Sequence, residues 1–123
     1  AVLCADFEVD KIRILEKNPR VRVMAVKKPE EHLENILFCD LIISIDSGIK
    51  HLAAYLGKTV ISLYSSGYHK IWGTFKENEI VNHANVPCYP CNSSYFCLLG
   101  NNLCIQQITP ERIYSQINKL GLS

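Results

Sequence analysis

At 123 residues, with a hydrophobic share of 48%, the chain has the length of one domain and enough apolar side chains for a real core. A formal net charge of +1 and a pI near 7.8 describe no polyanion-binding surface, which argues against nucleic acid as a main partner. No apolar run approaches the roughly 18 residues needed to span a bilayer, because Asp40 interrupts the best candidate.

The first residues, Ala1 to Asp6, lack the basic region and the length of a signal peptide. There is no initiator methionine, so the chain reads as a piece of a longer polypeptide. Ala1 to Cys4 looks like the end of a strand, and Phe7 to Lys17 predicts a helix with Ile12 and Leu15 inward, ended by Asn18-Pro19. Val21 to Val26 reads as a short strand. Pro29 fits the first turn of a helix running through Phe38, with Leu33, Ile36 and Leu37 on its apolar side.

The next stretch organises the rest. Leu41-Ile42-Ile43-Ser44-Ile45 is a strand aliphatic enough to be covered on both faces. Asp46-Ser47-Gly48 is a sharp polar turn, and a helix carrying His51 follows, stopping at Gly57 in a C′ position. Ser47 is a good N-cap, and Gly48 lets a ligand approach the backbone. The first helical N–H groups have no intrahelical partner, and the helix dipole favours an anion there. His51 lies four residues beyond the cap, and helical side chains lean toward the N-terminus, so its imidazole reaches back over that point. The stretch reads as a phosphate pocket. It reads equally as plain turn chemistry, since Asp-Ser-Gly is common in turns and a lone helical histidine is more often structural. Asp46 would repel a phosphate, so it should bind turn N–H groups or sugar hydroxyls instead.

Lys58 to Tyr64 is the following strand and Ser65-Ser66-Gly67 its exit loop. Strands alternating with helices of about ten residues imply βαβ crossovers and an α/β, Rossmann-like parallel sheet flanked by helices. Ligands of such sheets sit beyond the carboxyl ends of the strands, so Ser65, Ser66 and Gly67 form the expected rim of a pocket whose floor is Asp46, Ser47, Gly48 and His51. His69, Lys70, Trp72 and Phe75 fall in a loop that borders it, Glu79 to Val81 is a short strand, and Thr109-Pro110 opens a terminal docking helix with Ile113, Ile117 and Leu120 as its stripe before Gly121.

Six cysteines are many for this length. Cys4 and Cys39 fall at strand or helix-end positions where cysteine packs as a small hydrophobe. Cys88, Cys91, Cys97 and Cys104 are clustered around a C-x-x-C pair, in a segment with little to bury. Four thiolates suit a structural zinc, or iron. Two disulfides and four free thiols are the other readings, and a thioredoxin-like role is weaker because the pair does not sit between a strand and a helix start.

The motif from Asp46 to Ala54, then Gly57-Lys58-Thr59-Val60, resembles the D-[ST]-G-x-x-H-x-A…G-x-x-V motif of family 9 glycosyltransferases, the ADP-heptose–lipopolysaccharide heptosyltransferases and their relatives. C-x-P-C…C…C followed by Ile108-Thr109-Pro110-Glu111 resembles the C-terminal segment of many members. The resemblance covers roughly residues 36 to 120 and, more loosely, Ala1 to Lys17. It implies the C-terminal, donor-binding half of a GT-B architecture of two facing Rossmann-like halves. By resemblance, Asp46, Ser47, Gly48 and His51 fall on the donor motif: Ser47 and Gly48 offer hydrogen-bond donors to the diphosphate, and His51 adds another. Stabilising the departing nucleoside diphosphate in this way needs no metal. The resemblance also implies ADP-heptose as donor, a lipopolysaccharide core acceptor bound by an N-terminal half absent here, which carries the aspartate base, and a cytoplasmic location with peripheral association at the inner face of a Gram-negative cytoplasmic membrane. Nothing in this sequence matches that acceptor half, so the chain alone is expected to bind donor weakly and not to catalyse transfer. A non-catalytic nucleotide- or sugar-binding module and a metal-stabilised interaction domain are the other classes the residues allow.

Overall fold

The computed structural model describes residues 2–4, 8–91, 93, 96–97 and 99–121. The chain divides into two compact units, Ala1–Phe38 and Cys39–Ser123.

In the first unit, strand β1 (Val2–Cys4) pairs in parallel with β2 (Val23–Ala25), with Val2 opposite Val23. The segment between them departs from the single helix predicted by its sequence. Helix α1 covers only Val9–Ile12, and the chain then tightens into a 3-10 turn over Arg13–Lys17. Neither piece buries a residue, and Leu15, expected inward, is 46% exposed. A single turn of helix without an apolar face against a partner has little to sustain it. Asn18 is extended (φ −86°, ψ 118°), as the residue before Pro19 should be. Glu16 fastens the turn to β2 by accepting the Val23 N–H at 3.0 Å. Phe7, the expected helix start, lies outside the described residues, as do Ala1 and the side chain of Cys4.

Helix α2 (Pro29–Phe38) has the predicted bounds. Glu31 reaches back to accept the Lys27 N–H at 2.8 Å, satisfying a donor ahead of the first turn. Ile36 is fully buried, but Leu33 and Leu37 on the same predicted face are exposed.

In the second unit, β3 (Leu41–Ile45), β4 (Thr59–Tyr64) and β5 (Glu79–His83) form a parallel sheet in the order β3-β4-β5. Leu41 pairs with Thr59, and Val60 with Glu79. This is the α/β, Rossmann-like arrangement of a parallel sheet flanked by helices. One face carries Ile42, Val60, Ser62 and Tyr64 under helix α3 (Gly48–Tyr55), which contributes the buried Ala53 and Ala54. Helix α3 ends in a Schellman motif on Gly57 (φ +77°): the Gly57 N–H donates to Ala54 O at 3.1 Å and the Lys58 N–H to Ala53 O at 3.0 Å. Asn78 ties this end down by donating to the carbonyls of Ala54 and Lys58.

The opposite face is held by helix α6 (Pro110–Lys119). Thr109 caps it, its hydroxyl accepting the Arg112 N–H at 3.3 Å, with Pro110 in the first turn as predicted. Ile113 is buried, and Gln116 exchanges two hydrogen bonds with the fully buried Asn82 of β5, at 2.9 and 3.0 Å. This pairing leaves β3 beyond the reach of α6. Strand β3 was expected to be covered on both faces; Ile42 is buried, but Ile43 and Ile45 are 48% and 64% exposed, because β3 is the edge strand of this unit. Two further differences concern short elements. The loop expected at 69–75 contains a helical turn, α4 (His69–Trp72), and another, α5 (Leu103–Gln106), carries the last of the clustered cysteines, Cys104.

Candidate functional site

The site is built where β3 ends. Ser47 is extended (φ −155°, ψ 164°), turns the chain into α3 and so occupies the N-cap position. Its hydroxyl does not cap the helix; it lies 3.1 Å from the hydroxyl of Ser44, the residue three earlier on β3. The first-turn N–H groups of α3 therefore have no partner from their own cap and face outward from the carboxyl edge of the sheet. A Cβ added to Gly48 would meet nothing within 4 Å, so the backbone here is open to an approaching group.

A groove of about 820 Å³ runs along this edge. Its lining includes Asp46, Ser47, Gly48 and the exposed His51 from the strand–turn–helix unit, and Ser65, Ser66 and Gly67 from the exit of β4. The structure thus brings together every residue of the predicted floor and rim. Of the four residues expected to border it, Trp72 lines the groove, while Lys70, Phe75 and His69 do not.

Asp46 has a partner other than the predicted turn N–H groups. Its Oδ1 accepts from Lys50 Nζ at 2.8 Å, and Lys50 is fully buried although it sits only three residues into α3. The same ammonium donates to the Tyr64 hydroxyl at 2.6 Å and to the Trp72 carbonyl. The Tyr64 hydroxyl in turn lies 2.9 Å from Glu79 Oε1, and Glu79 Oε2 accepts from the Thr74 amide and hydroxyl at 2.7 and 2.6 Å. Burial, with the Glu79 carboxylate beside it, pushes the Tyr64 phenol far above its ordinary value, so it remains a hydroxyl throughout. Burial acts to raise Glu79, but the neighbouring Ser62 hydroxyl together with the hydrogen bonds from Thr74 and Tyr64 outweighs it and holds the carboxyl below the usual range. Ser62 lies beside that carboxylate, its buried hydroxyl outside ordinary hydrogen-bond geometry. The Asp46–Lys50 spacing of four residues was a readable signal for an ion pair; its burial was not.

His69 belongs to a separate set of rings. Its Nδ1 is 2.9 Å from the Tyr89 hydroxyl and the two rings lie within 8° of parallel, while His83, at the carboxyl end of β5, stacks on both at 4.5 and 5.0 Å. Burial, then the neighbouring His83 and Lys70, lowers the His69 pKa, which favours the neutral ring.

Cys88, Cys91, Cys97 and Cys104 line one cavity of about 420 Å³ with Tyr89, Phe96, Leu99 and Leu103. They are free thiols, as is Cys39. Among the described residues no three metal-ligating side chains converge on one point. The cavity shares Ile45, Ser65, Ser66 and Ile105 with the groove, so the two adjoin. No described helix is long and apolar enough to cross a membrane.

The model of glycosyltransferase family 9 (heptosyltransferase) matches residues 10–99, which include the whole strand–turn–helix unit and both exit loops. The chain is 33% identical over 107 residues to lipooligosaccharide heptosyltransferase 2 of Campylobacter jejuni subsp. jejuni serotype O:2 (strain ATCC 700819 / NCTC 11168), covering 85% of this chain and 33% of that protein. It is 31% identical over 108 residues to lipooligosaccharide heptosyltransferase 2 of C. jejuni subsp. jejuni serotype O:6 (strain 81116 / NCTC 11828), covering 86% of this chain and 34% of that one. The chain therefore spans about a third of the length of the curated relatives it matches. No solved structure matches it. The family match, which spans the parallel strand, the open helix start and His51, places this chain in glycosyltransferase family 9, the heptosyltransferases.

Proposed function

We propose that this chain is the donor-binding part of a heptosyltransferase, taking a nucleotide sugar of the ADP-heptose type for transfer to a lipopolysaccharide inner core. The observation that carries this reading is the convergence of Ser47, Gly48, His51 and the Ser65–Gly67 loop on one groove at the open N-terminus of α3. A diphosphate seated there meets the first-turn N–H groups and the positive end of the helix dipole. His51 adds a donor from the next turn. As the glycosidic bond to the diphosphate breaks, charge accumulates on the leaving oxygens, and donors already aimed at them stabilise the departing nucleoside diphosphate without a metal. The adjoining, mainly apolar cavity beyond Ser65 and Ser66 suits the flat nucleoside end. The catalytic base and the acceptor site belong to a part of the enzyme outside these residues, and the full-length enzyme works in the cytoplasm at the inner face of the membrane, where the acceptor is made.

The test is an amide-resolved NMR titration of the chain with ADP, UDP and GDP up to millimolar concentration, repeated on His51→Ala. ADP should shift the Ser47, Gly48 and Ile49 amides selectively, and His51→Ala should weaken binding about tenfold, the worth of one charge-assisted hydrogen bond. Equal responses to all three nucleotides, or an unchanged His51→Ala titration, would remove the reading. An assay of sugar transfer by the chain alone should show none.

A further inference from the structure

The donor reading meets an electrostatic difficulty: Asp46 is the first residue of the turn that is to hold a diphosphate. A carboxylate within several ångström of a phosphate repels it. The structure contains an answer beneath the turn. Lys50 runs back along α3 by four residues, has no exposed surface, and places all three ammonium protons on acceptors: Asp46 Oδ1, the Tyr64 hydroxyl and the Trp72 carbonyl. Its Nζ also lies 4.5 Å from the Tyr64 ring centre. The side chain of Asp46 keeps 31% of its surface, so the pair sits with the carboxylate toward the groove and the ammonium behind it.

The geometry points to Lys50 as the positioning residue of the donor site: it cancels the charge of Asp46 from below and locks that carboxylate in place, so that the N-terminus of α3 and His51 act on the diphosphate unopposed. This rests on the donor reading above and adds a residue to it. Lys50 touches no ligand. Through the Trp72 carbonyl it also fixes one wall of the groove to the turn that forms its floor. A purely structural role would make Lys50 matter to folding whatever the charge at position 46; the role inferred here makes it matter because Asp46 is charged.

The experiment is a double-variant cycle read by the same ADP titration, with thermal unfolding to confirm the fold. Lys50→Met keeps the length of the side chain and removes the charge. It leaves the Tyr64 hydroxyl its acceptor, Glu79, and takes a donor from the Trp72 carbonyl, a loss that the single and the double variant share. Lys50→Met should lose about tenfold or more in ADP affinity. Adding Asp46→Asn should restore affinity to within about threefold of wild type, since neither charge then remains. A Lys50→Met chain that binds ADP like wild type overturns the inference, and so does a folded double variant no better than Lys50→Met. If Lys50→Met alone does not fold, the double variant decides: folded with near-native affinity supports charge cancellation, while folded without affinity, or unfolded, overturns it. A wild-type chain silent toward ADP, UDP and GDP instead removes the donor reading and this inference together.

Discussion

Gly67 faces the carboxylate of Asp46 so closely that a methyl group added to the glycine would lie 2.7 Å from Asp46 Oδ2. The two residues come from the exits of neighbouring strands, β3 and β4, and both line the groove. Asp46 cannot swing aside freely, because its other oxygen is held by the buried Lys50. Gly67→Ala should therefore cost about 1–3 kcal/mol by overpacking and weaken ADP binding with it. Gly48 is the contrasting case, with open space around its missing Cβ. Gly48→Ala should leave the unfolding midpoint close to wild type while reducing ADP affinity, since the methyl group would occupy the space through which the diphosphate reaches the backbone. Denaturant unfolding beside the titration separates the two effects.

The junction between β5 and α6 depends on one amide pair. Asn82 is fully buried, and its Oδ1 accepts from Gln116 Nε2 at 3.0 Å. Gln116→Ala should strand that oxygen and destabilise the second unit by about 1–3 kcal/mol. Hydrogen exchange should show the loss first in the α6 amides, whose other anchors are Ile113 and the bond from Arg112 to the His83 carbonyl.

Acid should weaken the network beneath the site through Glu79. Its folded-state pKa lies below the 4.5 of a free glutamate, so the unfolded chain takes up this proton first as pH falls. The stability it contributes is therefore complete above about 4.5 and is lost as pH falls through the lower folded value. Glu79→Gln should be less stable than wild type at neutral pH, and the difference should shrink below pH 4.5. A gap between the two unfolding curves that is constant across pH would contradict this.

The four clustered cysteines should not react alike. The Asn102 amide leads a group of backbone N–H donors, with those of Asn101, Leu99 and Gly100, that holds the Cys97 thiol below its ordinary value against a smaller opposing effect of burial. Alkylation at limiting reagent, read by peptide mass spectrometry, should favour Cys97 over Cys91, the more so as pH is lowered from about 8 to about 6. Equal labelling at both would show that these amides do not stabilise the thiolate.

What the sequence by itself determined was local. The strand–turn–helix unit, the Ser47 cap position, the Gly57 stop and the Thr109-Pro110 helix start each depend on residues within a few positions of one another, and all four stand where the pattern puts them. The parallel sheet then followed from the alternation of elements, and with it the shared edge that gathers Asp46, Ser47, Gly48, His51 and the Ser65–Gly67 loop. The failures were equally physical. A helix predicted over Phe7 to Lys17 became one turn and a 3-10 segment in which no described residue is fully buried, Ile12 being half-buried and Leu15 exposed. The aliphatic run of β3 could not announce that it would be an edge, since exposure of Ile43 and Ile45 depends on where α6 docks. Lys50 is the sharpest instance. Its sequence neighbours describe an ordinary helical lysine, and only the arrival of Tyr64 and the Trp72 carbonyl from more distant parts of the chain supplies the acceptors that let its charge be buried.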